Sequence, residues 1–449
     1  MAFLLVVFIA IFLYIRDFKL LALTMFFFFV TSGFDLIPEE VTKFGFFSKG
    51  MDYALIMLAF IVAFECVCDY QSFLRKDFLT KYLLFLGLFL IACIAYSKVI
   101  LHFEFAGIIR TCRFLFFWLA WFVFRKVDKQ RLEQLMTLLF YVTVVCSVLY
   151  LLQLFFEESI LNEGAVAKAK LFGMIFPRYY NHPAMLYFFV YIAIFRSPAK
   201  GLLQPITAAI MIIALLAAFH RSLIGFFFIA LFLGLVLRLP RLQRIKVLAV
   251  GAVLVGTFVV FEGYRFVKSR TFTDIQHFMS GNLAEIETEI DIEELQQSTF
   301  TFRMAHLVER NMYLLEHPKA MLIGAGLIPE DAKGTSKMFN FDIGLTDDMS
   351  GKAVQVDTGD IAYSMFLIRF GYLGTALIML PLILLTVYFY RHKDNPLGLQ
   401  SFTYMVLVFG VSFFSANLSH PYTFLLPMLS YHIINQTQEE HAKKDAQQT

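Results

Sequence analysis

The residues of this chain best suited to chemistry are arginines, histidines and aspartates spread between positions 178 and 360. Residues 298–318, STFTFRMAHLVERNMYLLEHP, read as a helix capped by Ser298 or Thr299 and stopped by Pro318. Helical spacing puts Arg303, His306 and Arg310 on one face, at i, i+3 and i+7, with Phe302, Ala305 and Leu315 available for packing on another. Such a cationic stripe suits a phosphate ligand, because a guanidinium meets phosphate oxygens in paired, charge-assisted bonds. The competing account is a solvated helix face. Arg221, in AAFHRSLIG, lies between two apolar stretches with almost no loop around it. An ionisable residue at membrane depth is costly and points to function, whereas a tight interfacial turn would leave only a snorkelling arginine. Upstream, FPRYYNHPA gathers Arg178, two tyrosines, Asn181 and His182, a set that could equally serve as an interfacial anchor.

Two carboxylates complete the set. Asp357 and Asp360, in VDTGDIAYSMFLIRFG, stand immediately before an apolar run. A carboxylate at such a boundary can act as a general base with a pKa raised by desolvation, or simply cap a helix N-terminus. Between stripe and carboxylates, LIGAGL carries Gly324 and Gly326, which let backbone approach backbone or substrate closely. His102, His277, His306 and His317 show no metal-ligand spacing, and Asp347 and Asp348 make no cation cage, so neither an essential metal nor a cofactor is expected. The five cysteines fall in or beside apolar runs, with no disulfide framework.

The elements that must position these groups are membrane helices. Of 449 residues, 59% are hydrophobic and only 16% charged, with mean hydropathy +0.70, against about 25% charged in soluble domains. Apolar runs such as 3–15 lack the alternation of a β-barrel, so the class is an all-α polytopic membrane protein. About thirteen spans begin near Phe3, Leu20, Tyr53, Tyr82, Ile108, Leu135, Ala184, Leu202, Leu223, Val247, Tyr372, Phe402 and Tyr422; a misread first span would leave twelve. The first run has no basic segment before it and no cleavage site, so it does not read as a signal peptide.

Lysines and arginines cluster in alternate loops, at 16–19, 75–81, 125–131, 196–200, 238–246 and 391–393, which the positive-inside rule makes cytoplasmic together with the polar tail. That leaves 35–50, 97–105, 157–183 and a long loop outside. The organisation is a helix bundle over 1–262, a large and mainly helical periplasmic loop over 263–360, C-terminal spans over 361–434 and a cytoplasmic tail over 435–449. A loop of that length exceeds what a connection needs. A net charge of +3 without a basic block gives no reason to expect nucleic acid, and no glycine-rich phosphate loop supports ATP-driven pumping.

The order of these motifs resembles the O-antigen polymerase and O-antigen ligase superfamily, membrane glycosyltransferases of the GT-C type in the bacterial inner membrane. His220-Arg221-Ser222 is similar to its Ser-Arg-small motif, with His in place of the usual serine. Arg303 with the downstream EHP and GAG resembles its loop signature, and Asp360-Ile361-Ala362-Tyr363 with Gly371 and Gly374 resembles its closing pattern. Ligases of the superfamily carry a histidine where this chain has Asp360, which favours a polymerase. The resemblance implies that undecaprenyl-pyrophosphate-linked oligosaccharide repeat units are joined on the periplasmic side into O-antigen or capsule. In that scheme Arg221, Arg303, Arg178 and Arg310 hold the pyrophosphate and Asp360, or Asp357, is the base. His306, Tyr363 and His182 would contact substrate, and a chain-length regulator and a flippase would share the membrane. The alternatives are a ligase that transfers polymer to lipid A core, and a transporter of the lipid-linked oligosaccharide.

Overall fold

The computed structural model describes residues 2–247 apart from 46, 74–76, 157–158, 162–165, 172–173, 180–181, 219 and 241, and residues 299–448 apart from 331, 333–344, 347–352 and 358–359. The expected span from Val247, the first part of the long loop, His277, Asp347 and Asp348 lie outside the described residues.

The chain is an all-α polytopic membrane protein. Its apolar helices, in order, are α1 (Ala2–Ile15), α2 (Lys19–Val30), α3 (Gly50–Cys68), α4 (Thr80–Val99), α5 (Phe105–Phe124, with a 3-10 stretch at Arg113–Leu119), α6 (Lys129–Leu152), α7 (Leu186–Phe195), α8 (Leu203–Ala217) and α9 (Arg221–Arg238). After the long loop's α10 (Thr299–Glu316) and α11 (Pro318–Ile323) come α12 (Ala362–Arg391), α13 (Pro396–Val411) and α14 (Tyr422–Gln448). Among the described residues, five helices are long and apolar enough to cross a bilayer by themselves, with 19 to 30 residues each, which at 1.5 Å per residue matches a core about 30 Å thick. Every expected span that falls on described residues coincides with one of these helices or a shorter apolar one. A small antiparallel hairpin, β1 (Val166–Leu171) with β2 (Met174–Tyr179), sits between α6 and α7, where the composition announced no strand.

Aromatic packing fills the interior. Trp118 stacks on Phe424 at 4.8 Å between ring centres, and Phe188 meets Tyr404 edge-on at 5.0 Å, tying α5 to α14 and α7 to α13. The cysteines are all free.

Ion pairs sort the loops into two faces. On one, Arg131 makes a bidentate pair with Asp17 at 2.8 and 2.7 Å, Lys126 meets Asp69, Arg125 meets Asp77, Arg196 meets Glu133, and Lys129 reaches Glu440 of the tail. Five loops that the charge pattern assigns to one side are therefore joined directly, a basic face. The opposite, loop face brings together the turn after α2 and the start of α7, where Ala184 N–H donates to Asp35 at 2.8 Å. There too Arg113, one of the cations at the start of α5, is held by Asp52 at 2.5 Å and Ser48 at 3.0 Å instead of extending into solvent.

Candidate functional site

The site is built where the long loop returns to the membrane. α10 runs to Glu316, and Pro318 does not merely stop it: it opens α11, where a missing N–H is harmless in the first turn. Phe302 and Ala305 are buried as the spacing expects, but Leu315 is 55% exposed and packs no core. The stripe itself is not a solvated face. His306 and Arg310 are 1% and 0% exposed and face the chain that leads into α12.

Arg303 is the outermost of the three. Its Nη2 donates to Asp360 Oδ1 at 2.9 Å, and its guanidinium lies 5.7 Å from the centre of the Phe414 ring, in the α13–α14 turn. Its buried Nε meets no acceptor among the described residues. A guanidinium has five N–H donors, so most of its capacity remains for an anion. Asp360 is not the cap of α12: that position is Ile361, without a side-chain bond.

His306 bridges two partners, with Nδ1 2.8 Å from Ser364 Oγ and Nε2 2.8 Å from the carbonyl of Gln355. A carbonyl only accepts, so Nε2 carries the proton and Nδ1 accepts from the hydroxyl. Burial, with the nearby Arg310 charge, pushes the imidazole down to about 3, opposed by the Gln355 bond. It is a neutral strut at ordinary pH. Arg310 donates from Nη2 to the same Gln355 carbonyl at 3.0 Å and pairs with Glu309.

Three further groups hold this segment. The Glu330 carboxylate accepts from the N–H groups of Gln355, Val356 and Asp357 at 2.9, 2.6 and 2.9 Å. Arg369, 1% exposed, donates from Nε and Nη2 to the Ile328 carbonyl and pairs through Nη1 with Asp357 at 2.6 Å. Asp357 is thus committed to a buried arginine, whereas Asp360 faces Arg303. Tyr363, expected at the substrate, donates its hydroxyl to the Phe409 carbonyl at 3.0 Å. Arg369 was legible as an arginine inside SMFLIRFG, by the rule that singles out Arg221; nothing in the sequence marks Glu330.

The glycines serve backbone contact. At Gly324, with φ of 74°, a Cβ would lie 2.3 Å from the Arg369 carbonyl carbon, and one at Gly371, with φ of 63°, would lie 2.6 Å from the Ala320 carbonyl oxygen. The close approach lets Ala325 N–H donate to Ile368 at 2.8 Å, and Leu327 N–H donates to Ser97 Oγ on α4 at 2.9 Å.

The other expected cations are placed only in part. Arg221 is the first residue of α9, with His220 as its cap accepting from Leu223 N–H at 3.3 Å. One turn and a half further on, Phe226 packs against Phe414, the ring under Arg303, at 6.0 Å. The start of α9 therefore flanks the Arg303 site, although the Arg221 side chain lies outside the described residues. The backbone of Arg178 pairs with Ala167 in the hairpin, and its side chain is likewise outside them. His182 stacks on Tyr187, in the first turn of α7, at 4.7 Å. The described residues hold no group of three or more His, Cys, Asp or Glu side chains fit to bind a metal. Compared with protein-family models and with curated proteins, the sequence matches none.

Proposed function

We propose that the protein is a membrane glycosyltransferase that polymerises oligosaccharide repeat units carried on a lipid pyrophosphate, undecaprenyl pyrophosphate in a bacterial inner membrane. The observation that carries this reading is the Arg303–Asp360 pair: a guanidinium with unused donors beside a carboxylate, at the point where a long loop meets the bilayer. A lipid-linked sugar needs its phosphates at such a boundary, with the lipid in the membrane and the saccharide above it. The positive-inside rule puts the basic face in the cytoplasm and this site in the periplasm.

The acceptor hydroxyl oxygen attacks the anomeric carbon of the lipid-linked chain, and its proton passes to Asp360. The bond from that carbon to the pyrophosphate oxygen breaks, and its electron pair leaves with the lipid pyrophosphate. Arg303, with Arg221 from the start of α9, stabilises the growing phosphate charge. When phosphate engages Arg303, its grip on Asp360 loosens and the carboxylate's affinity for the proton rises. His306, Arg310, Glu330, Arg369 and Asp357 hold the loop and do not touch substrate. No nucleotide or ATP is needed, because pyrophosphate is already a good leaving group.

The test is reconstitution with the lipid-linked repeat unit and separation of products by size. A ladder of repeat multiples is expected from the wild type and none from Arg303→Ala. For Asp360→Asn a rate reduced about 10²–10⁴-fold is expected. Transfer of one unit to added lipid A core would identify a ligase, and movement of the lipid-linked sugar across the bilayer without a covalent product would identify a transporter.

A further inference from the structure

The junction of α10 and α11 carries a surface that plays no part in the chemistry above. Along NMYLLEHPKAMLI, Met312, Leu315 and Leu322 are 46%, 55% and 59% exposed, while Leu314 and Ala320 between them are buried against the protein. The two helices meet there in a tight elbow. His317 N–H donates to the Tyr313 carbonyl at 3.1 Å, and its ring stacks on Tyr313 at 4.2 Å between centres. Single exposed apolar side chains are ordinary, but three on the outward side of one elbow mark a surface that meets something other than water.

Two helices measure the depth of this elbow. α12 reaches the basic face at its far end, where Tyr388 meets Phe78, the neighbour of Asp77, at 5.7 Å, and the helix closes at Arg391. Gly371 lies about twenty residues before Arg391, or about 30 Å at 1.5 Å per residue, the thickness of the hydrocarbon core. At Gly371 α12 touches α11: a Cβ there would fall 2.6 Å from the Ala320 carbonyl oxygen and 2.7 Å from that of Met321. α4 gives the same level. Its Thr80 accepts from Arg125 on the basic face at 3.2 Å, and Ser97, about 26 Å further along, accepts from Leu327 N–H just after α11. Both rulers put α11 at the boundary of the core opposite the basic face. The exposed stripe of α12 agrees, since Leu373, Leu380, Ile383 and Val387 are exposed but no residue from Ala362 to Tyr372 is. The elbow therefore stands at the upper end of a surface that faces lipid.

We propose that the α10–α11 elbow is seated in the lipid headgroup layer opposite the basic face, with Met312, Leu315 and Leu322 among the first carbons of the acyl chains and Glu316, His317 and Lys319 among the headgroups. Lipid is the partner because the elbow's depth and its apolar face continue the stripe of α12 into the layer where hydrocarbon gives way to headgroups. The neighbouring chemistry is interfacial. Tyr372 donates its hydroxyl to Asn311 at 2.5 Å, joining α10 to α12 at this depth, and tyrosine favours a layer where one end of the ring is apolar and the other wet. Lys319, exposed between Leu315 and Leu322, lays its stem on apolar surface and extends its ammonium to phosphate. This placement does not rest on the glycosyl-transfer reading. It does set the height of Arg303, which lies on the same helix within about 18 Å of Leu315.

The test is tryptophan fluorescence of the full-length protein in phosphatidylcholine vesicles, with Leu322→Trp and, separately, Leu315→Trp. Trp118 and Trp121 are buried, and the wild-type protein supplies the background they contribute. Emission from each added indole is expected to fall about twofold or more when the lipid carries bromines high on its acyl chains, less when the bromines sit near the chain ends, and little with aqueous iodide. Two separate exposed positions keep the test intact if one variant does not fold. The proposal is overturned if iodide quenches both indoles and brominated lipid neither, which would put the elbow in water. It is overturned equally if neither quencher reaches them, because a second copy of the chain or another protein segment would then cover the face. Strongest quenching from the chain-end bromines would overturn the headgroup depth. Quenching by lipid as expected, in a protein that forms no polymer from the lipid-linked repeat unit, would leave the anchor in place and remove the polymerase reading alone.

Discussion

His306 and Asp35 respond to pH in opposite senses, which separates two regions of the molecule experimentally. His306 is held near 3 against an unfolded value of about 6.5, so between these values the unfolded chain carries the proton and stability falls as the medium is acidified from about pH 6.5. Asp35 is raised to about 7 against about 3.9 unfolded, so the folded state carries the extra proton and stability falls as pH rises through that window. Melting curves in detergent should show wild type losing more stability than Asp35→Asn between pH 4 and 7.5. His306→Gln should lose less than wild type between pH 6.5 and 4.5. Equal slopes for wild type and variant would remove the respective assignment. Glu330 gives a third residue-scale expectation: alanine there strands three N–H groups, of Gln355, Val356 and Asp357, at about 1–3 kcal/mol for each that stays buried. Hydrogen exchange of Val356, 1% exposed in the folded chain, should accelerate strongly in Glu330→Ala and remain slow if the carboxylate is dispensable.

At the scale of elements, the contact between α11 and α12 depends on two glycines facing each other's backbone. Gly324→Ala and Gly371→Ala each combine a left-handed φ with a Cβ against backbone atoms that cannot swing aside. Each should cost about 1–3 kcal/mol or more and lower the melting temperature, whereas Gly225→Ala, inside α9 where a Cβ meets nothing within 4 Å, should hold or raise it. These elements were partly legible in the sequence. Helical periodicity gave α10, its charged face and the chain re-entry after Asp360, because apolar spacing and proline are local signals. What periodicity does not carry is what the face meets: whether Arg303, His306 and Arg310 contact water or the 355–364 segment depends on residues about fifty positions away. Hence Arg303 stayed outermost while His306 and Arg310 became internal struts. The β1–β2 hairpin, in a segment of unremarkable composition, was missed for the same reason.

Across the whole molecule, the charge pattern proved more informative than any motif, since loops grouped by lysines and arginines alone are joined by ion pairs on one face. Alkaline phosphatase fused after His420 should therefore be active and after Lys393 inactive; the reverse would invert the orientation and move the site to the cytoplasm. The site's parts come from widely separated stretches: Ser97 on α4, α10 and α11, the segment entering α12, and Phe414 between the last two helices. That dispersion fixes when the site can exist during synthesis. Arg303 leaves the ribosome more than a hundred residues before Phe414, and α11 cannot dock until α12 has entered the bilayer to offer the Ile368 carbonyl. A nascent chain arrested before the last hairpin would carry the Arg303 loop without its floor, so on the proposed reading no glycosyl transfer can begin until the C-terminal helices are threaded.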